Sequence, residues 1–152
     1  MKRLKIRDFR VGDVKEILRI HQANEEFFEE LPVTEEFILN INRRDDFKFM
    51  VAELEGEVIG FLGVLFHSGV GRAEVGPIGI KTEYQQRKVG KKLLEEGLKF
   101  LRKLQVKRVT SRVKKENERG IKFFESAGFS PEGYFKDYTQ KKEDVVQLVK
   151  FL

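Results

Sequence analysis

A cluster of cations lies where an apolar segment gives way to an amphipathic one near the middle of this chain. Residues 78–80 read Ile-Gly-Ile, and Arg87, Lys88, Lys91 and Lys92 follow at the start of the amphipathic segment. The first amides of a helix have no partner inside the helix, and the helix dipole adds partial positive charge at the same end. A cationic turn that leads into a helix therefore predicts an anion-binding site, and this one favours a polyphosphorylated ligand.

The turn itself has a specific order of residues. Residues 85–90 read Gln-Gln-Arg-Lys-Val-Gly. This resembles motif A of the GNAT family of N-acetyltransferases, whose Gln/Arg-x-x-Gly-x-Gly/Ala turn holds the pyrophosphate of acetyl-CoA. Gln85 and Gly90 match, whereas Lys88 stands where the first glycine is usual. A non-glycine residue held at positive φ costs about 1–2 kcal/mol, so this departure bears on the backbone geometry of the turn.

A second segment downstream, residues 117–129, resembles the family's motif B. Motif B reads Asn-x-x-Ala-x-x-Phe-Tyr-x-x-x-Gly-Phe, and the matching residues are Asn117, Phe123, Gly128 and Phe129. The segment also predicts a short helix on physical grounds, with Asn117 as its N-cap and Gly128 in the left-handed conformation after the last turn. Two motifs in this order are typical of the family.

The resemblance implies that acetyl-CoA is the cosubstrate and that an amine attacks it directly in a ternary complex. Gly76, Pro77 and Gly79 are poor residues for an ordinary central strand, which indicates a bulge before the turn. In the family, such a bulge frees backbone amides, here those of Ile78, Gly79 and Ile80, to stabilise the oxyanion of the tetrahedral intermediate. The residues expected to bind the cosubstrate are Ile78, Gly79, Ile80, Gln85, Gln86, Arg87, Lys88, Val89, Gly90, Lys91, Asn117 and Phe124.

The groups that would move protons are less evident. A lysine-like amine, with a pKa of about 10.4, must lose a proton before it attacks. Many relatives carry a Tyr where Phe124 stands, as the general acid towards sulfur, and some carry a Glu where Ser111 or Arg112 stands. Glu74 is the expected base, acting through water, although a solvated strand-end carboxylate is the alternative. Tyr138 falls where relatives build the acceptor pocket and is expected to supply a hydroxyl there.

Composition limits the class of protein. A chain of 152 residues with 40% apolar content fits one core and one domain, so residues 1–152 are expected to form one N-acetyltransferase domain. The absence of cysteine excludes disulfides and a cysteine nucleophile, and His21 and His67 lack metal-ligand spacing, so no metal is expected. There is no membrane-spanning run and no secretory pattern, which predicts a cytoplasmic protein with no membrane partner.

A formal charge of +5 and a pI near 9.4 admit two anionic partners, a nucleotide-like cosubstrate and nucleic acid. A nucleic-acid-binding module would use the basic residues Arg102, Lys103, Lys107, Arg108, Arg112, Lys114 and Lys115. They include alternate strand positions, which face opposite ways, and no aromatic stacking motif accompanies them. Another alternative is a pseudoenzyme that keeps the cosubstrate site without turnover, as Lys88 and Phe124 suggest.

The acceptor is expected to be a primary amine: a protein amino terminus, a lysine, a polyamine or another small amine. Acidic residues recur from Glu25 to Glu36, in the helical pair and connection that form one wall of the acceptor cleft in the family. Negative charge there would favour a cationic acceptor. The alternative is a solvated helix face.

These residues require a strand before the turn and a helix after it. Hydrophobic periodicity predicts the order β-α-α-β-β-β-α-β-α-β-β. This is the GNAT order, an α+β (three-layer α/β) fold with a mixed, mostly antiparallel central sheet and helices on both faces. The predicted strands are one around Leu4 and Ile6, then 47–54, 58–66, 72–80, 107–113, 133–138 and 145–152. The predicted helices begin at the caps Asp13 and Thr34, at about Val89 and at Asn117. The last strand is expected to be able to pair with a second copy in a homodimer.

Overall fold

The computed structural model describes residues 3–25 and 33–152. The strands and helices in these ranges follow the predicted order, so the predicted fold class is confirmed. The strands are β1 (Leu4–Asp8), β2 (Phe47–Leu54), β3 (Glu57–His67), β4 (Arg72–Ile80), β5 (Arg108–Lys114), β6 (Ser130–Phe135) and β7 (Val145–Phe151). The helices are α1 (Val14–Ala23), α2 (Glu35–Ile41), α3 (Val89–Lys103) and α4 (Glu118–Ser126).

The strands form one sheet in the order β1-β2-β3-β4-β5-β7-β6. Every neighbouring pair is antiparallel except β4 and β5, which are parallel and joined by the crossover helix α3. The predicted parallel pair flanking the long helix is therefore confirmed. Because β7 lies between β5 and β6, both of its edges are paired within the chain. A homodimer stays a prediction.

Two apolar clusters pack on the two faces of the sheet. On one face, Leu93 of α3 and Leu62 of β3 belong to the same fully buried cluster. On the other face, Ile17 of α1 and Ile38 of α2 are buried with Phe61 of β3. Each such side chain contributes about 1.5–3 kcal/mol when fully buried. The helices are thereby fixed on both faces, and the ends of β4 and β5 lie between them.

The start of α1 differs from the prediction in its chemistry. The helix begins directly after Asp13, but the Asp13 side chain makes no cap hydrogen bond to the helix. Both of its oxygens instead accept from the guanidinium of Arg7, at 2.8 and 2.9 Å, and Oδ2 also accepts from the Arg10 amide at 2.7 Å. A charged partner forms a stronger hydrogen bond with a carboxylate than a neutral amide does, so the ion pair replaces the cap.

One further local prediction is wrong. The sixth strand spans Ser130–Phe135 rather than residues 133–138, because it begins directly after Phe129 and the chain turns after Phe135. Tyr138 therefore lies in the connection that follows β6. In α2, Thr34 caps the helix as predicted, Ile38 is buried, and the neighbouring Phe37 is 50% exposed.

Residues 26–32, which make up most of the acidic stretch from Glu25 to Glu36, lie outside the described residues. The predicted acidic wall of the acceptor cleft is therefore left as a prediction. Glu35 and Glu36 occupy the first turn of α2, where carboxylates complement the helix dipole. Across residues 3–25 and 33–152, no helix has both the length and the apolar character needed to cross a membrane.

Candidate active site

The strands β4 and β5 separate part of the way along the sheet. Their pairing covers three residues and ends at Glu74 and Thr110. Just beyond it, the hydroxyl of Ser111 donates to the carbonyl oxygen of Val75 at 2.8 Å. Gly76 then takes a φ of +128°, and the register between β3 and β4 shifts where Gly63 faces this segment. The bulge predicted in this strand is present, and it opens a gap between β4 and β5.

Backbone groups of β4 line this gap without a strand to pair with. The amide of Lys81 donates to Ile59 of β3 at 2.8 Å, and alternation along a strand then directs the amide of Gly79 to β3 as well. The amides of Ile78 and Ile80 consequently point into the gap. An extended ligand can pair with such an edge as another strand would.

Gly79 has a different role from the one predicted. A Cβ atom on Gly79 would lie 2.7 Å from the ring of Phe61 and 3.0 Å from Cγ2 of Ile20. Both distances are too short for a real contact, so the glycine lets α1 pack closely on the sheet. Its backbone amide faces β3, and it is therefore not one of the free donors.

The turn before α3 adopts the left-handed backbone conformation twice. Gln86 has a φ of +62°, and Lys88, the residue before the helix, has φ +67° and ψ +15°. Lys88 thus takes the conformation of the glycine that it replaces, at a cost of about 1–2 kcal/mol. The turn leaves the first amides of the fifteen-residue helix α3 free of helical partners, as an anion site requires.

Two substitutions at Lys88 test this backbone strain. Lys88→Ala and Lys88→Gly remove the same charge, but only glycine adopts positive φ without cost. After allowance for the greater flexibility of glycine in the unfolded chain, we expect the Gly variant to exceed the Ala variant by about 0.5–1 kcal/mol in free energy of unfolding. Urea denaturation of the pair measures this difference. An Ala variant at least as stable as the Gly variant would contradict the left-handed assignment.

The gap and the turn open into one cavity of about 540 Å³. Nine of the twelve residues predicted to bind the cosubstrate line it: Ile78, Ile80, Gln85, Gln86, Lys88, Gly90, Lys91, Asn117 and Phe124. Gly79, Val89 and Arg87 do not. Val89 is fully buried in the core, and the guanidinium of Arg87 lies over the ring of Tyr84, 5.8 Å from its centre. Nine of the twelve predicted residues thus line one cavity, and binding of the cosubstrate by any of the twelve stays a prediction.

The cavity carries positive charge. Its described lining includes the cations Lys88, Lys91, Arg112 and Arg119 and contains neither a carboxylate nor a histidine. Charges of one sign that line a cleft raise the local concentration of an oppositely charged ligand. The cavity therefore suits an anion, in agreement with the predicted polyphosphorylated ligand.

Helix α4 closes the cavity opposite the turn. The side chain of Asn117 accepts from the amide of Gly120 at 2.9 Å and so caps the helix as predicted. Phe124, 3% exposed, packs edge-on against Phe123 and Phe129. Its ring reaches the cavity wall without any polar atom, so α4 presents no proton donor at the position where many relatives carry Tyr.

Two polar links fix the turn to the rest of the fold. Nε2 of Gln85 lies 3.1 Å from the carbonyl oxygen of Ile80 and 3.3 Å from Oδ1 of Asn24. Asn24 in turn donates to the carbonyl oxygen of Ile20 at 2.8 Å, at the end of α1. The Gln85 side chain therefore positions the turn. Asn24 lines the cavity, and no motif in the sequence identified it.

The predicted base Glu74 and the predicted pocket hydroxyl Tyr138 lie outside the cavity lining. Glu74 is the last β4 residue paired with β5, and it faces the same side of the sheet as its cross-strand partner Leu65. Tyr138 is 44% exposed, and its hydroxyl oxygen accepts from Nη1 of Arg112 at 2.7 Å. Arg112 does line the cavity. Because side chains alternate along β5, Arg112 and Ser111 lie on opposite faces of the sheet. The sequence did not indicate the contact between Tyr138 and Arg112.

Comparison with known proteins adds independent information. The family model described as "Acetyltransferase (GNAT) family" matches residues 14–129. A curated relative, mycothiol acetyltransferase of Propionibacterium freudenreichii, is 31% identical over 134 residues, which make up 84% of this chain but 43% of the relative. The chain therefore spans less than half of that protein's length.

Solved structures show the same fold. Spermidine N-acetyltransferase of Vibrio cholerae, solved with CoA and spermine, superposes with a TM-score of 0.87 at 18% identity, covering 99% of this chain and 96% of that one. The yncA protein of Salmonella typhimurium, a putative acetyltransferase solved with acetyl-CoA, superposes with a TM-score of 0.85 at 18% identity, covering 99% and 95%. At these identities the likeness concerns the fold alone.

Proposed function

This chain belongs to the acetyltransferase (GNAT) family, and from that membership we propose that it transfers an acetyl group from acetyl-CoA to a primary amine. The observation that supports this most strongly is the continuous cavity that joins the gap between β4 and β5 to the turn before α3. One end offers free strand amides, and the other offers a helix start with cations. A ligand that combines an extended amide-containing arm with a pyrophosphate would fit both ends.

The residues present fit acetyl-CoA by their chemistry. The turn at Gln86 and Lys88 and the first amides of α3 would bind the pyrophosphate, with Lys88 and Lys91 supplying charge. The free amides of Ile78 and Ile80 would pair with the amide-containing arm and polarise the thioester carbonyl. Acetyl-CoA supplies the activated acetyl group, and the residues of this chain hold it in an extended conformation.

The acceptor side is less defined, and we propose a primary amine: a protein amino terminus, a lysine side chain, a polyamine or another small amine. Glu74 remains our candidate for the base, through water, because its strand carries the bulge two residues later. Tyr138 remains our candidate for a hydroxyl that contacts the acceptor. A cationic acceptor follows only if the acidic residues between Glu25 and Glu36 face the cavity.

Thermal unfolding with and without acetyl-CoA tests this proposal. Ligand at about 100 times its Kd adds about 2.7 kcal/mol of stability, which we expect to see as a raised Tm. No rise at millimolar acetyl-CoA would contradict the proposal. Thiol release with lysine peptides, amino-terminal peptides, polyamines and aminoglycosides then separates an enzyme from a CoA-binding pseudoenzyme. In the active assay, an unchanged pH–rate profile for Glu74→Gln would remove Glu74 from the mechanism.

A further inference from the structure

Arg112 is held in place on the wall of the cavity by neutral groups. Its Nε donates to Oε1 of Gln147 at 3.1 Å, and its Nη1 donates to the hydroxyl oxygen of Tyr138 at 2.7 Å. The guanidinium also lies over two rings, 5.3 Å from the centre of Phe135 and 5.5 Å from that of Tyr138. These contacts restrict the conformations of the Arg112 side chain before any ligand binds, so less conformational entropy remains to be lost on binding.

The positive charge of Arg112 is not offset by an ion pair. Both of its hydrogen-bond partners are neutral, and no carboxylate of the described residues forms a salt bridge with it. A comparable arginine on the same strand is different. Arg108 faces the same side of β5, lies over the ring of Phe151, and is paired with Glu132. Arg112 is therefore an exposed cation without an ion pair among the described residues, although its partner Gln147 also donates to Glu132 at 2.7 Å. Of these two arginines it is the one that lines the cavity.

The proposed reaction develops negative charge that such a cation can stabilise. When the amine attacks the thioester, a C–N bond forms, the C–S bond breaks, and its electron pair passes to sulfur, while the amine proton is released to water. The leaving group is a CoA thiolate. Phe124 has no proton to give it. Among the other cations of the described lining, Lys88 lies in the turn and Lys91 in the first turn of α3. Arg119 lies in the first turn of α4, whereas Arg112 follows Ser111 at the opening of the gap.

We propose that Arg112 stabilises the negative charge that develops on the thioester and ends on the CoA thiolate, in place of the hydroxyl that Phe124 lacks. A guanidinium stays protonated at neutral pH, so Arg112 contributes charge and does not transfer a proton. Tyr138 and Gln147 are the positioning residues that keep the guanidinium at the cavity wall. This inference rests on the proposed function, because it requires CoA in the cavity.

Titration of the thiol of bound CoA tests the inference without any acceptor. A free thiol ionises with a pKa of about 8.5, and a cation within about 4–6 Å lowers such a value by about 1–3 units. We expect the ultraviolet absorbance of the bound thiolate to appear at least about one pH unit below that of free CoA. The other titratable groups of the described lining are the same in every variant, so they cannot cause a difference between variants: Tyr84, Lys88, Lys91 and Arg119. Glu74 and Tyr138 are also unchanged in the arginine variants.

Substitutions then assign the shift to Arg112. Arg112→Met is expected to move the titration most of the way back to that of free CoA, and Arg112→Lys to retain part of the shift. Tyr138→Phe keeps the ring but removes the hydrogen-bond acceptor, and an intermediate shift is expected. Arg108→Met is the matched control, because it removes an arginine stacked on an aromatic ring outside the cavity, and it is expected to leave the titration unchanged.

Turnover provides the second measurement. We expect Arg112→Met to lower kcat about 100-fold, which is typical for loss of one electrostatic contact to the transition state, with little change in the Kd of acetyl-CoA. Adding Phe124→Tyr to Arg112→Met restores a donor on α4 and is expected to recover part of kcat. CoA that binds Arg112→Met with the same thiol titration as in the unchanged protein would overturn this inference alone. Failure of the unchanged protein to bind CoA would overturn the proposed function, and this inference with it.

Discussion

Replacing Gly90 with Val removes acetyl-CoA binding at concentrations that saturate the unchanged protein. Gly90 lies in the first turn of α3 and lines the cavity. A Cβ at this position would lie 3.3 Å from Cε1 of Phe123 and 3.6 Å from Cδ1 of Ile78, between α4 and β4. The two methyl groups of valine extend further and occupy the space beside the turn. We expect the Kd to rise at least about 100-fold, equivalent to about 2.7 kcal/mol.

The Gly90→Ala variant is the graded control for this prediction. Its single Cβ needs a shift of only a few tenths of an ångström from the Phe123 ring, and alanine favours the helix more than glycine does. We expect Gly90→Ala to bind with a modestly raised Kd while its own free energy of unfolding is unchanged or higher. Calorimetric titration of both variants provides the measurement. Undiminished binding by Gly90→Val would place acetyl-CoA elsewhere on the protein.

Replacing Arg7 with Met destabilises the fold by about 3 kcal/mol, as expected when a buried ion pair loses one partner. The side chains of Arg7 and Asp13 are only 10% and 7% exposed. Arg7 also donates from Nε to Glu53 at 2.9 Å, which links the start of α1 to β2. Without the guanidinium, a buried carboxylate keeps a single amide partner. Urea unfolding at neutral pH measures the loss.

The pH dependence identifies Asp13 as the cause. Burial by itself would raise the pKa of Asp13, but hydrogen bonds from Arg7 and the Arg10 amide outweigh it, so the pKa lies below its ordinary value of 3.8. Such a group stabilises the fold above its unfolded pKa and loses that contribution as the pH falls through its folded pKa. In Arg7→Met the hydrogen bonds from the guanidinium are lost, so burial raises the pKa of Asp13. The stability difference between the two proteins should therefore be largest at neutral pH and shrink as the pH falls below about 4.

The exposed pair of Arg44 and Asp46 supplies the control. Two hydrogen bonds of 2.8 Å join them, but both side chains are in contact with water, 56% and 35% exposed. Solvent screening leaves such pairs with little net effect. Arg44→Met is expected to change stability far less than Arg7→Met. Equal effects of the two substitutions would contradict the role assigned to burial.

The sequence predicted most reliably the elements whose faces alternate cleanly between apolar and polar. The start of α3 was correct because Val89, Leu93 and Leu101 recur at helical spacing on one buried face. The sixth strand was placed about three residues too late. Its residues are mostly exposed. The sequence therefore lacks the alternation of apolar and polar residues that would show where this strand begins.

The candidate site divides in the same way. The turn and the N-terminus of α4 are built from consecutive residues, so their motifs could be recognised along the chain. Asn24 reaches the cavity from a segment distant in sequence, and nothing near it indicates a shared site. The resemblance marked the position of Arg112, where some relatives carry a Glu, but it did not indicate what an arginine does there. The predicted capping role of the Asp13 side chain was wrong for a related reason, because its actual partner, Arg7, belongs to the preceding strand.

The three-residue pairing between β4 and β5 divides the sheet into a four-stranded and a three-stranded part. Past Glu74 and Thr110, few backbone bonds hold these parts together. If acetyl-CoA pairs with β4 in the gap, as we propose, it supplies hydrogen bonds that β5 does not make there, and it becomes part of the sheet as well as a reactant. Its departure as CoA then requires those hydrogen bonds to break. Product release and the mechanical stiffness of the sheet are thereby properties of the same few hydrogen bonds.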